Sequence, residues 1–219
     1  MPKQPAIPGW VAWAAIPVVA LVVVLGIWIT GGVVTNDEQV AKGLTALWLL
    51  AAGFVALFVS WRYRGMALPV LGTFVLVGGG LGGFLLYTSN VDKVVDEDVL
   101  VAEPLARTAD PDPESVSTQV GVGNFVDGEH PTSGVATLID TASGGRVLTL
   151  TKFVTDPGPD LRVYIVPAGR DGVSGGVDLG ALSGNRGDQQ YNVPPSAPSG
   201  QVVIWCRAFS VNFGTAQLA

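Results

Sequence analysis

Three stretches near the start of the chain carry no charged residue: residues 4–36, 43–61 and 65–91. A helix needs about 20 apolar residues to cross a hydrocarbon core of about 30 Å. Residues 10–29, 44–60 and 67–87 approach that length and predict three transmembrane helices. Trp10, Trp13, Trp28, Trp61, Tyr63 and Tyr87 fall near the ends of these spans, where amphipathic rings prefer the interface. From residue 121 the pattern changes to short alternating runs broken by Gly, Pro, Asp and Asn. Residues 134–140, 146–153, 161–167, 201–209 and 211–214 read as strands, with 177–182 and 189–193 as shorter additions. No window shows a helical period. About 100 residues with about seven strands is the size of one β-sandwich.

Charge sharpens the division. Only 14% of the 219 residues are charged, against about a quarter in ordinary soluble domains. Residues 1–90 hold 6 charged side chains and a net +2; residues 91–219 hold 24 and a net −8. The acidic second part argues against nucleic acid, which requires a basic face. Lys3, Arg62 and Arg64 fall on one side of the three spans, and Lys42 and Lys93 on the other. That count puts the N-terminus in the cytoplasm and residues 91–219 outside it. The first apolar run exceeds a signal-peptide core and no small-x-small cleavage site follows, so the span reads as retained. Pro17 is a candidate kink in it.

The spans contain no ionisable side chain, which leaves them without the usual parts of a proton relay or haem site. Their predicted role is anchoring in the lipid bilayer. Gly78, Gly79, Gly82 and Gly83 form two overlapping small-xxx-small pairs, either a homo-oligomer face or packing among the three helices. Residues 91–120 carry 8 acids, 2 bases, and Pro104, Pro111 and Pro113, and read as an acidic solvated linker holding the next domain off the bilayer. Val94, Val95, Val99, Leu100 and Val101 indicate that its first part touches a membrane or a domain.

Candidate chemistry is sparse. One cysteine, Cys206, and one histidine, His130, exclude an intrachain disulfide and the structural zinc, three-histidine and blue-copper sites. In QVVIWCRAF, alternation places Val202, Ile204, Cys206 and Ala208 on one face and Val203, Trp205, Arg207 and Phe209 on the other. Cys206 thus falls in an apolar row, with Arg207 facing away from it. His130, in Asp127-Gly-Glu-His-Pro, reads as a turn residue. Asp156, Asp160, Asp171 and Asp178 lie in glycine- and proline-rich turns; calcium is conceivable there, but turn chemistry accounts for them. Arg186-Gly-Asp188 spells an integrin-type tripeptide and is read as coincidence. Tyr164 and Tyr191 complete the side chains able to ligate haem in this part, and the lack of C-x-x-C-H excludes covalent attachment.

A family resemblance lies on top of this pattern. Gly123-Asn-Phe125, His130 and Gly134 open the domain, followed by Leu148-x-Leu150-x-x-Phe153, Gly158-Pro-Asp160, Val163-Tyr164 and Leu179-Gly-x-Leu182. It closes with Gly184-Asn-Arg-Gly187-x-Gln-x-Tyr191-x-Val-Pro194 and Ile204-Trp-Cys206-Arg-x-Phe209-Ser-Val-Asn-Phe213-Gly214. Residues 121–219 resemble the DM13 domain, a β-rich extracytoplasmic module related by proposal to DOMON domains and named as an electron-transfer family. The resemblance implies a redox role centred on Cys206, as a thiol or a ligand to haem b, with His130 as a second candidate ligand.

The expected architecture is therefore membrane α plus all-β. It consists of an anchor (1–90), an acidic linker (91–120) and an extracytoplasmic β-sandwich (121–219). The expected function is a membrane-anchored redox or electron-transfer module with a partner protein in the cell envelope and Cys206 as its redox candidate. The alternative is a non-catalytic envelope-binding module in which Cys206 is core packing; a third is a peroxide or thiol sensor acting through Cys206.

Overall fold

The computed structural model describes residues 8–35, 37–100 and 117–219. It divides into a helical unit, the residues up to Thr88 together with Ala208–Ser210, and a sheet unit, Ser89–Arg207 with Val211–Ala219. The acidic, proline-containing residues 101–116 of the expected linker, like Lys3, lie outside the described residues.

The helical unit holds three helices long and apolar enough to cross a membrane: Gly9–Gly32, Gln39–Arg62 and Arg64–Thr88. The first helix continues through Pro17. Asp37 caps the second, its carboxylate accepting from the Val40 N–H at 3.0 Å. The third contains a wider π-type stretch, Phe74–Gly79. Small residues let the helices approach: a Cβ on Gly53 would stand 3.1 Å from the Phe74 ring. Thr30 and Thr45 hydroxyls join the first two helices at 3.1 Å. Of the four glycines expected to form a packing face, Gly78 meets Phe74 and Gly82 meets Leu49, whereas Gly79 and Gly83 have open space beside them.

The sheet unit is all-β. Its strands are β1 (Val94–Asp96), β2 (Thr118–Asp127), β3 (Thr132–Asp140), β4 (Arg146–Thr155), β5 (Leu161–Pro167), β6 (Val177–Ala181), β7 (Arg186–Asn192), β8 (Gly200–Cys206) and β9 (Val211–Gln217). They form one continuous sheet in the order β1-β7-β4-β3-β2-β9-β8-β5-β6. β2 joins its two halves. Its first part pairs with β3 through Asn124, and from Phe125 onward it pairs with β9. A strand shared in this way curls one sheet around a common core.

The core residues come from both halves. Leu148, Leu150 and Phe153 of β4 and Val163 and Ile165 of β5 are fully buried, as are Val202 and Ile204 of β8. Phe125 and Phe153 meet edge to face, with ring centroids 5.1 Å apart.

Two strands escape the alternation pattern. β2 carries Gly121 and Gly123 where strands usually have β-branched residues. A Cβ on Gly123 would fall on the Gln217 carbonyl, so glycine lets β2 and β9 approach. β1 lies within the acidic stretch and pairs in parallel with β7, so residues immediately after the third helix are part of the sheet.

Candidate functional site

Cys206 ends β8. Its cross-strand partners are Leu161 of β5 and Val211 of β9, and it has no exposed surface. Alternation along β8 produces this position, putting Cys206 on the core face with Val202 and Ile204. Arg207, just beyond the strand, turns outward and pairs with Asp160 at 2.7 Å. The guanidinium therefore does not serve the thiol.

His130 lies in the turn between β2 and β3. Thr132 fixes this turn: its N–H bonds the Asp127 carboxylate at 2.8 Å and its hydroxyl bonds the Phe213 carbonyl at 2.8 Å. The Gly128 and Glu129 N–H groups bond to Phe213 and Asn212 carbonyls. So held, the imidazole stacks on the Phe213 ring, centroids 3.9 Å apart and planes 20° from parallel. Its Nδ1 meets Asp156 Oδ2 at 2.9 Å. The His130 side chain is 11% exposed, more enclosed than a surface turn residue.

Phe213 stacks with His130 and belongs to β9, the strand paired with the end of β8. It lies two positions along β9 from Val211, the partner of Cys206, and is itself fully buried. The phenyl ring and the imidazole run toward the surface, where Asp156 is half exposed.

The remaining candidates have structural duties. Tyr191 Oη donates to Gln189 Oε1 at 2.7 Å and accepts the Ser183 N–H at 2.9 Å. Burial raises its pKa above the ordinary tyrosine value, against the lowering effect of the Ser183 bonds. Tyr164 Oη donates to Asp178; burial and that bond raise its pKa. Burial pushes the Asp178 carboxyl up. Bonds from Arg162, the Gly180 N–H and Tyr164 outweigh it and hold the group below the usual carboxylate range. Asp160 and Asp156 are the partners of Arg207 and His130. Among the described residues no group of three or more His, Cys, Asp or Glu is placed to hold a metal ion.

A haem needs a slot for the macrocycle beside its iron ligand. Cys206 is enclosed by its strand neighbours with no exposed surface. Two cavities of about 380 Å³ occur elsewhere. One is apolar and lies among the helices, lined by residues such as Val19, Trp48 and Phe74. The other lies at the β3–β4 hairpin, between Asp140, Arg146 and Pro195. Neither borders Cys206 or His130, and the full burial of Cys206 leaves its thiol, as packed, no open face for a haem.

Sequence reasoning passed over Phe213 and Asp156 as site neighbours. Their proximity to His130 depends on pairing between segments 26 and more residues apart, which leaves no local period to detect.

The class defined by these features is an all-β domain following three apolar helices able to span a membrane. The family model described as electron transfer DM13 matches residues 124–218, which run from β2 through β9. No curated protein and no solved structure matches the chain.

Proposed function

We propose that the chain is a membrane-anchored electron-transfer module, with its sheet domain on the extracytoplasmic side and Cys206 as its redox residue. The observation that supports this reading is the full burial of the single cysteine at the end of β8, in a domain matching an electron-transfer family, with the single histidine stacked on Phe213 of the adjacent strand β9. The orientation rests on the Lys/Arg count of the short loops, and the partner is a redox protein of the cell envelope. Because haem does not fit, the thiol itself is the redox group. A hydroperoxide oxidises it: the O–O bond breaks, one oxygen bonds to sulfur as sulfenic acid, and the other leaves as an alcohol carrying the proton. Sulfur gives up two electrons. Complete burial means that the reaction proceeds through local opening at the end of β8.

The second reading, a non-catalytic envelope-binding module, is favoured by the same burial, since a cysteine in an apolar row packs as a small hydrophobe. The test uses the full chain in detergent micelles, exposed to cumene hydroperoxide and then to a sulfenic-acid probe, with Cys206 read by mass spectrometry. The redox reading expects labelling of the folded chain that slows in His130→Ala. A folded chain whose Cys206 stays unlabelled, and resists alkylation until denatured, leaves core packing as its role. A Soret band on adding haem that disappears in Cys206→Ala would overturn the conclusion about haem.

A further inference from the structure

Residues 92–100 are bound to the sheet by an unusually specific set of contacts. The Lys93 N–H donates to Asn185 Oδ1 at 2.6 Å, and Asn185 Nδ2 donates to Asp92 Oδ1 at 2.8 Å. Arg186 Nε meets the other Asp92 oxygen at 2.9 Å. Further along, the Glu97 N–H bonds the Asp188 carbonyl, the Glu97 carboxylate accepts the Gln190 N–H at 3.0 Å, and Gln190 Oε1 accepts the Leu100 N–H at 2.9 Å.

The receiving edge is shaped for this strand. Gly187 has φ +106°, and a Cβ there would fall on the Val95 carbonyl oxygen; a Cβ on Gly184 would fall on that of Lys93. Asn185 is 5% exposed and also bonds the Thr155 carbonyl. From within the domain the acceptor is held by Thr155, whose N–H bonds the Asn185 carbonyl and whose carbonyl accepts from the Asn185 side chain.

The occupant is held differently. Its pairing covers three residues; Val94 is 72% exposed, Val95 is half-buried, and the other strand residue is exposed. It has no fully buried apolar anchor and is held by polar contacts at a sheet edge. Such a strand opens at a lower free energy than the core strands.

We propose that β7 is a strand-acceptor edge selective for an extended acidic segment, occupied in this chain by its own residues 92–100, which act as a releasable strap. Main-chain pairing binds the strand. Asn185 with Arg186, and the Gln190 N–H, read two acids five residues apart. This is strand addition to an open edge, satisfied within one chain, and it covers an edge that would otherwise invite aggregation.

The test is hydrogen–deuterium exchange of the full chain in detergent micelles, using Asp92→Ala/Glu97→Ala to loosen the strap and Gly187→Val to block the acceptor. In the double variant, exchange at 94–97 and 186–190 should rise by about tenfold or more, as expected for lost charge-assisted bonds. Protection at 147–150 and 202–205 should be unchanged. A synthetic peptide of residues 91–100 should restore protection at 186–190 in the double variant and fail to do so in Gly187→Val. Wild-type exchange in the double variant, equal protection of both variants by the peptide, or loss of core protection in either would overturn the proposal.

Discussion

The helical unit and the sheet unit are both rich in Val, Leu and aromatic residues, and they place them oppositely. In the helices, Leu47, Leu50, Phe54 and Leu68 are exposed, as are Trp10 and Trp61 toward the ends. In the sheet, Phe153, Leu148, Ile165 and Phe213 are fully buried. An apolar side chain facing lipid loses nothing by exposure, whereas in water burial is worth about 25 cal/mol per Å². The charge-poor region and the acidic region are thus two answers to two solvents. Phe74 shows the converse within the helices: where apolar contact is already available from lipid, association depends on close fit, here against Gly53.

The largest effect should come from the sheet core. Phe153→Ala should cost about 3–5 kcal/mol of sheet-domain stability, seen as a lower urea midpoint. Leu50→Ala, equally apolar but exposed on the second helix, should leave that midpoint unchanged. An equal shift in both would break the contrast. A charge tests the other solvent: Leu50→Arg should cost about 2.5–3.5 kcal/mol of insertion, read as a smaller fraction of chain resisting alkaline extraction from membranes. Full retention would show that this face does not meet lipid.

Gly123→Ala probes close approach within the sheet. Its Cβ would press on the Gln217 carbonyl, and a loss of about 1–3 kcal/mol should follow; an unchanged midpoint would mean that β2 and β9 have room to separate. The smallest effect concerns polar contacts on the sheet surface. Asp178→Asn should cost about 1 kcal/mol at neutral pH, a charge-assisted network discounted for partial exposure. Because the folded-state pKa of Asp178 is lowered, its contribution is fully present above the ordinary carboxylate value of about 4. It is lost as pH falls through the folded value. The gap between wild type and variant should therefore narrow on acidification, and a constant gap would remove Asp178 as its source.

Much of this architecture was legible because the signals were local. Uninterrupted apolar runs predicted three helices of membrane length, and alternation in LRVYIVP predicted β5 with the bounds observed. The same alternation grouped Cys206 with Val202 and Ile204, all fully buried, although Val203 on the opposite face is buried too. Less legible was β2, whose glycines answer to a partner strand about 90 residues away. His130 shows the same limit: its turn was readable, but its enclosure between Phe213 and Asp156 was not.

What the sequence determined by itself was the three apolar runs of membrane length and most of the segments that form strands, because hydropathy and period are properties of neighbouring residues. Tertiary structure decided that residues 92–100 belong to the sheet, that the motif Gly184-Asn-Arg-Gly187 receives them, and that His130 is enclosed by Phe213 and Asp156. Each depends on hydrogen bonds and ring contacts between distant segments. Sheet register chooses those contacts, and the pattern along a single strand does not.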